Sequence, residues 1–281
     1  MKVAFTKMHG LGNDFVFVDV REKALPDPEG FSKKVGDRRF GIGADQILLV
    51  GKATQPGADL RMDIYNQDGS RVEMCGNGIR CFAKYVRDRG LPEGKGKEIL
   101  QVETLAGIIR PRILPDGRVE VDMGPPRLEG PEIPVKLEGR VIDREVTVGG
   151  AKRTMTCVSM GNPHAVFFVD DVASIALETL GPAIETDPLF PKKTNVEFVQ
   201  VNPGNILVTR VWERGAGATL ACGTGACGVG VAAVLTKRAG RVSTVRLPGG
   251  DLSIEWREAD NRVYMTGPAA EVFRGDVEWG S

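Results

Sequence analysis

Two cysteines of this 281-residue chain open short glycine-rich segments of the same form. Cys75 begins CGNG and Cys222 begins CGTG. The first N–H groups of a helix are unpaired and partially positive, so a thiol there can have a lowered pKa beside a bound carboxylate. Two such thiols could take a proton from one face of an α-carbon and return one to the other face, while the helix ends stabilise the oxyanion. This chemistry inverts an amino-acid centre without a cofactor.

Other roles for the cysteines and for His164 have less support in the sequence. A zinc site would need cysteines in zinc knuckles, whereas Cys75 and Cys222 open helices, and a redox centre would need the CxxC pair that the chain lacks. We therefore expect no metal. The remaining cysteines are expected to fill the core as small apolar side chains: Cys81, Cys157 and Cys227. His164 could be a second base, but a lone histidine after a turn is more often structural.

A faint internal repeat underlies the two cysteine segments. Gly12-Asn13 leads into FVFVD and Gly161-Asn162 into HAVFFVD, and from these asparagines the cysteines lie 62 and 60 residues on. Gln46 precedes Cys75 by 29 residues and Asn195 precedes Cys222 by 27. Asn66 and Glu213 each stand nine residues before their cysteine. Four coincidences in one order outweigh chance similarity of turn fragments, and two facing copies would bring both cysteines to one seam.

Each cysteine segment is predicted to start a helix. After Cys75, apolar residues recur at helical spacing and RDRG at 87–90 ends the helix. The second helix is predicted from Cys222 to about Ala239, and because it is apolar on almost every side it should be buried. Runs rich in Val, Ile and Phe predict strands, and a proline-rich segment at 123–134 is the expected crossover. The strand runs are Phe15 to Asp19, Gln46 to Val50, Leu60 to Tyr65, Arg118 to Met123, Ala165 to Val169, Val196 to Val201 and Ile206 to Trp212.

Composition excludes several classes of function. Lys plus Arg and Asp plus Glu both number 37 and are mixed along the chain, so nucleic acid and membrane surfaces are not expected partners. The N-terminus lacks the apolar region of a signal peptide, and no window resembles a membrane span. A cytoplasmic protein with free thiols is expected, and neither a dinucleotide fingerprint nor a phosphate loop is present.

Six motifs, in order over nearly the whole chain, resemble the diaminopimelate epimerase family: MHGLGNDFVFVD, FGIGADQILLV, YNQDGSRVEMCGNGIRCFAKY, VSMGNPHAVFFV, TNVEFV and VWERGAGATLACGTGAC. The resemblance implies an α+β fold of two similar lobes, each a mainly antiparallel sheet wrapped around a central helix, with the active site at the seam. The expected lobes are 1–123, completed by strands at about 269–281, and 124–268. The implied reaction is pyridoxal-phosphate-independent interconversion of LL- and meso-diaminopimelate, on the route to lysine and peptidoglycan, by an enzyme that is usually a homodimer.

The resemblance also assigns site residues. Cys75 and Cys222 match the acid–base pair, and the helix ends that bind the reacting carboxylate match Gly76, Asn77, Gly223 and Thr224. Substrate contacts match Asn13, Gln46, Asn66, Asn162, Asn195, Glu213 and Arg214, with Arg214 suited to the distal carboxylate and Glu213 and His164 as possible auxiliary groups. One departure is Ala218, where the family commonly has glutamate.

Three rival functions remain. Proline racemase and hydroxyproline epimerase would use the same paired cysteines, but their first motif tends to read CGHG, and a small cyclic substrate would not need Arg214. A relative of the phenazine-biosynthesis type would lack the thiol pair. A plain amino-acid-binding module would not explain two symmetric thiols.

Overall fold

The computed structural model describes residues 1–280, whose nineteen strands form two large sheets. The strands are β1 (Lys2–Gly10), β2 (Asn13–Asp19), β3 (Gln46–Lys52), β4 (Leu60–Asn66), β5 (Arg71–Val72), β6 (Val102–Thr104), β7 (Gly107–Ile109), β8 (Arg112–Ile113), β9 (Val119–Asp122), β10 (Arg144–Val148), β11 (Ala151–Ser159), β12 (Pro163–Phe168), β13 (Asn195–Asn202), β14 (Ile206–Glu213), β15 (Gly217–Ala218), β16 (Val242–Leu247), β17 (Gly250–Arg257), β18 (Arg262–Gly267) and β19 (Ala270–Glu278). Each strand run expected from the sequence coincides with one of these elements, so those predictions are confirmed.

The chain divides into two compact units. The first takes Met1–Val121 and the chain from Gly267 onward, and the second is the continuous segment Asp122–Thr266. The sheet of the first unit runs β19-β1-β2-β3-β4-β6-β7, with β5 paired to β4. The C-terminal strand β19 lies antiparallel to β1 from the pair Lys2↔Glu278 to the pair His9↔Ala270, so the last described residues complete the first unit.

The second unit repeats this sheet plan. Its order β11-β12-β13-β14-β16-β17, with β15 paired to β14, corresponds strand for strand to β1-β2-β3-β4-β6-β7 with β5. In both series the neighbours are antiparallel except at two places, β2 with β3 and β4 with β6, matched by β12 with β13 and β14 with β16. The repeat and the mainly antiparallel two-lobed fold are thereby confirmed, with two parallel pairs in each sheet as a refinement.

The helices are α1 (Pro28–Gly36), α2 (Gly76–Asp88), α3 (Leu177–Glu185) and α4 (Gly223–Leu235). Helix α2 begins and ends where the sequence predicts. Helix α4 begins as predicted but ends at Leu235 rather than near Ala239, because Thr236 caps it and Lys237 adopts a left-handed conformation with φ of 58°. No helix among residues 1–280 is long and apolar enough to cross a bilayer.

Helices α2 and α4 are each packed against the sheet of their own unit. Helix α4 contacts six strands of its sheet, β11, β12, β13, β14, β16 and β17, and most of its residues are fully buried. Two glycines of α4 allow this closeness: a Cβ on Gly228 would lie 3.2 Å from His164 and one on Gly230 would lie 2.7 Å from Ile254. The packing of each helix against its sheet fixes where the helix N-terminus, and hence the cysteine, must lie.

Candidate active site

Cys75 occupies the N-cap of α2. Its extended backbone, with φ of −136° and ψ of 116°, turns the side chain back over the first helical turn, where Sγ accepts the Gly78 N–H at 3.4 Å. The thiol is only partly buried. Cys75 therefore takes the place that serine or aspartate usually takes at a helix start, with its sulfur beside the unpaired N–H groups.

Asn13, at the start of β2, presents its carbonyl oxygen to this thiol. Cys75 Sγ lies 3.7 Å from Asn13 Oδ1, and the Asn77 side-chain amide donates to the same oxygen at 3.2 Å. The amide nitrogen of Asn13 is engaged elsewhere, donating to Asp45 Oδ2 at 2.8 Å. The Asp45 carboxylate can only accept, so it fixes the orientation of the Asn13 amide. Arg38 in turn binds Asp45 at 2.6 Å and holds that carboxylate in place.

Gln46 and Asn66 lie opposite each other on β3 and β4. Their Cα atoms are register partners, and Gln46 Nε2 donates to Asn66 Oδ1 at 3.0 Å. The other Gln46 amide atom, Oε1, is buried and has no hydrogen-bond partner among the described residues. A buried amide oxygen with no partner is costly, and a ligand with an N–H group would satisfy it.

Arg80, one turn into α2, forms hydrogen bonds with residues of the first turn of the helix. Its side chain is fully buried and donates to Asn77 Oδ1 at 2.8 Å and to the Gly76 carbonyl at 3.1 Å. It also reaches the Pro268 carbonyl at 3.3 Å. The guanidinium thus holds Gly76 and Asn77, two of the residues predicted to bind carboxylate, in one arrangement.

Cys222 is the N-cap of α4 with nearly the same backbone, φ of −116° and ψ of 112°. Its Sγ accepts the Gly225 N–H at 3.3 Å and lies 3.5 Å from the Thr224 hydroxyl. Asn162 Nδ2 donates to the same hydroxyl at 3.2 Å. Gly223 is the first residue of the helix, so the predicted carboxylate-binding residues surround this thiol as they surround the first.

The remaining predicted contacts of the second unit are placed around Asn195. Asn195 Oδ1 accepts the Arg214 backbone N–H at 2.9 Å, and its amide nitrogen donates to the Pro163 carbonyl at 2.8 Å. Glu213 is the last residue of β14 and accepts from the Thr219 hydroxyl at 2.5 Å. Arg214 lies beyond the strand end and its guanidinium donates to the Lys192 carbonyl at 3.1 Å. Ala218, the departure noted above, is exposed on β15.

His164 and Glu197 form a fully buried pair near the second thiol. His164 Nδ1 lies 2.6 Å from Glu197 Oε1, and His164 Nε2 lies 3.1 Å from Asn162 Oδ1. A Cβ on Gly225 would approach Glu197 Oε1 to 2.8 Å, so the carboxylate lies against the first turn of α4. Burial raises the pKa of Glu197, and His164 opposes that shift.

The expectation of a lowered thiol pKa is wrong for Cys222 in this structure. Burial raises the pKa of Cys222, and the negative charges of Glu213 and Glu197 raise it further. Hydrogen bonds from Thr224 and Gly225 act in the opposite direction but are outweighed. A helix N-terminus stabilises a thiolate by a modest amount, whereas complete desolvation penalises the charged form strongly.

Sequence reasoning missed three residues that position the predicted site. Asp45 and Arg80 orient Asn13 and Asn77, and Glu197 holds His164. A signal existed for Glu197, because TNVEFV places an acidic residue in a run that otherwise predicts a buried strand. Arg80 carried no such signal, since a cation in an amphipathic helix is normally solvated.

A family model described as diaminopimelate epimerase matches residues 5–129 and 156–272 of this chain. The diaminopimelate epimerase of Moorella thermoacetica is 57% identical over 278 residues, which cover 97% of this chain and 98% of the relative. Diaminopimelate epimerase 1 of Nostoc sp. is 53% identical over 283 residues, covering 99% of this chain and 100% of the relative.

Solved structures share the fold at low sequence identity. A phenazine biosynthesis protein of the PhzF family from Bacillus anthracis superposes with a TM-score of 0.72 at 16% identity, covering 99% of this chain and 100% of the other. A hydroxyproline epimerase from Agrobacterium vitis, with bound trans-4-hydroxy-L-proline, gives 0.68 at 16% identity, covering 98% and 91%. At such identities these structures support the fold alone.

Proposed function

Because the chain belongs to the diaminopimelate epimerase family, we propose that it interconverts LL- and meso-diaminopimelate without a cofactor, with Cys75 and Cys222 as the acid–base pair. The observation that carries the proposal is the equivalence of the two thiols. Each is the N-cap of the central helix of its unit, at the same place in a repeated sheet plan. A reaction that treats the two faces of one carbon alike needs two such groups.

In the proposed reaction one sulfur, as thiolate, removes the α-proton while the other, as thiol, delivers a proton to the opposite face. The C–H electron pair passes into the α-carboxylate, which becomes enolate-like, and returns to carbon when the new C–H bond forms. The N–H groups after each cysteine, near Gly76 and Asn77 and near Gly223 and Thr224, bind the carboxylate and its added charge. One turnover leaves the two sulfurs with exchanged protonation states, ready for the reverse reaction.

The amide-rich surroundings suit a substrate with ammonium and carboxylate groups at both ends. The unpartnered Gln46 Oε1 is an acceptor for an ammonium group, and Asn66 holds the same amide in position. Asn13 and Asn162 each contact the first turn of a thiol-bearing helix. In this proposal Asn195 and Glu213 hold the strand end from which Arg214 reaches the distal carboxylate, with Arg214 bidentate on it.

The proposal has a direct test in D2O. Reduced protein, given LL-diaminopimelate and no added cofactor, is expected to exchange the α-proton and form the meso isomer, as followed by NMR. Cys75→Ala and Cys222→Ala should each lower net epimerisation by roughly 10²- to 10⁴-fold, the usual contribution of a positioned acid or base. L-Proline is the comparison substrate, and Glu103→Gln, a buried acid bonded to Thr54, is the matched control variant. Exchange confined to proline would overturn the substrate, and unchanged rates in both alanine variants would overturn the mechanism.

Two further properties belong to the proposal. We expect action in the cytoplasm, where the reducing environment keeps both thiols free. We also expect a homodimer: β19 is an edge strand of its sheet, and Val272 and Phe273 on it are exposed apolar side chains. Sedimentation of the full chain and of Phe273→Asp tests this, with a monomeric wild type as the contrary result.

A further inference from the structure

The buried pair His164 and Glu197 has no counterpart in the first unit. The strand pairs Phe15↔Gln46 and His164↔Asn195 are equivalent in the repeat, and two residues further on Leu48 corresponds to Glu197. Both Phe15 and Leu48 are fully buried, and Leu48 lies against Gly78 of α2 as Glu197 lies against Gly225 of α4. Apolar packing is therefore sufficient at this position of the repeat. The buried acid Glu197 beside the second thiol must have a role other than packing.

Hydrogen-bond partners decide how the His164 ring is protonated. Asn162 Oδ1 can only accept, so the His164 Nε2 that faces it at 3.1 Å carries hydrogen. The second proton of the pair lies between His164 Nδ1 and Glu197 Oε1, whichever of the two holds it. With Oδ1 occupied by His164, the Asn162 amide nitrogen is left to donate to Thr224, whose hydroxyl lies next to Cys222.

We propose that Glu197 is a positioning residue for the second thiol: it holds His164 with Nε2–H toward Asn162, so that Asn162 donates to Thr224 and leaves the Thr224 hydroxyl proton for Cys222. This proposal rests on the proposed function, because it assigns meaning to Cys222 as an acid–base group. The chain of donors runs in one direction, from Glu197 to the sulfur. Beside Cys75, Asn13 presents an acceptor to the thiol instead.

The charges around Cys222 make this orientation matter. Two acids act on the thiol, Glu213 on β14 and Glu197 on β13, and His164 on β12 is paired with Glu197. On β11, burial raises the pKa of Cys157, and the charge of Glu197 raises it further. Both glutamates oppose the thiolate. The Thr224 hydroxyl and the Gly225 N–H are the groups that favour it, so a Thr224 hydroxyl turned toward Asn162 would remove one of two supports.

Two substitutions separate positioning from packing. In Glu197→Gln the amide can still donate to His164 Nδ1 and keep Nε2–H in place. In Glu197→Leu, which copies the first unit, His164 loses its partner. We expect kcat to fall roughly 10- to 100-fold in Glu197→Leu with KM within about threefold, as a misplaced reacting group does, and to stay within about threefold of wild type in Glu197→Gln. Glu103→Leu is the control for loss of a buried carboxylate, since Glu103 contacts Thr54 and Gln55.

A second readout does not depend on any substrate. The chain has two histidines, so ¹⁵N-edited NMR resolves the ring nitrogens of His164 from those of His9. The Nε2–H signal should be present in wild type and Glu197→Gln and lost or exchanging in Glu197→Leu. If Glu197→Leu does not fold, Glu197→Asp, whose carboxylate is one methylene short of His164, replaces it with the same expectation.

The outcomes are distinguishable. Equal loss of kcat in Glu197→Gln and Glu197→Leu, or an intact Nε2–H signal with wild-type kcat in Glu197→Leu, would overturn the positioning role. If wild type epimerises no diaminopimelate, the proposed function fails, while the NMR comparison still decides whether Glu197 sets the His164 proton.

Discussion

Each unit places a cysteine at the N-cap of a helix, but the residues on the strands beside the two thiols differ. Beside Cys75 the equivalent strand positions are the apolar Phe15 and Leu48, whereas beside Cys222 they are His164 and Glu197. The asparagines differ too: Asn13 offers its oxygen to the helix start because Asp45 takes its nitrogen, while Asn162 offers its nitrogen because His164 takes its oxygen. The two units thus share one arrangement of strands and helix, but the two thiols differ in their hydrogen-bonding partners and in the charges near them.

The largest expected effect comes from giving the first unit the acid of the second. Leu48→Glu buries a carboxyl on β3, where the register partner is the apolar Phe17 and no group pairs with the acid. This change should lower the free energy of unfolding by roughly 3–5 kcal/mol at neutral pH. Burial raises the folded-state pKa of such a carboxyl. The loss of stability should therefore be smallest below the unfolded pKa of about 4.3, grow as pH rises from there to the folded pKa, and stay constant above it.

Urea unfolding at pH 4 and pH 7 measures this effect. The double variant Phe15→His with Leu48→Glu rebuilds the pair of the second unit and should recover part of the loss. If Leu48→Glu alone is as stable as wild type at pH 7, the first unit does not require the apolar pair Phe15 and Leu48, and the expectation is wrong.

A somewhat smaller effect is expected at Arg80, whose equivalent in the second helix is Cys227. Arg80→Cys makes the two helices alike but leaves the Asn77 oxygen and the Gly76 and Pro268 carbonyls without their buried donor. Unpaired buried groups of this kind should cost about 3 kcal/mol of stability. Thermal unfolding checks the cost, and the apolar, similarly long Arg80→Met separates lost hydrogen bonds from lost volume. Full stability of Arg80→Cys would show that the first helix start does not depend on the guanidinium.

The smallest expected effect is a difference in reactivity between the two thiols. Cys222 is 4% exposed and has a raised pKa, whereas Cys75 is partly exposed, so iodoacetamide should modify Cys222 about tenfold more slowly at pH 7.5. Raising the pH should reduce the difference between the two modification rates, because more of Cys222 is then present as thiolate. Mass spectrometry of the digested protein resolves both sites. Faster modification of Cys222 than of Cys75 would reverse the ranking of the two environments.

Much of this architecture could be read from the sequence, and for a definable reason. Gln46 with Asn195, and Asn66 with Glu213, matched by spacing alone and prove to occupy equivalent strands, because strand lengths and crossovers of a repeated unit preserve spacing. The sequence alone does not reveal the roles of Glu197 and Arg80, because those roles depend on neighbours distant in sequence. The sequence extends α4 too far because TKRA continues a helical composition, whereas Lys237 takes a left-handed backbone that ends the helix. The CGTG segment does not predict the raised pKa of Cys222, because the burial that raises it is a property of the fold.

The pairing of β19 with β1 has a consequence for how the chain is made. The second unit is continuous in sequence and can fold as it leaves the ribosome, but the first unit lacks its edge strand until β19 emerges. At a synthesis rate of roughly 5–20 residues per second, one backbone edge of β1 stays unpaired for more than about ten seconds. Because an unpaired edge is where strands of other chains add, newly made protein is exposed to aggregation until β19 pairs with β1. Nascent chains stalled before β19 should therefore bind a holdase chaperone that full-length chains release.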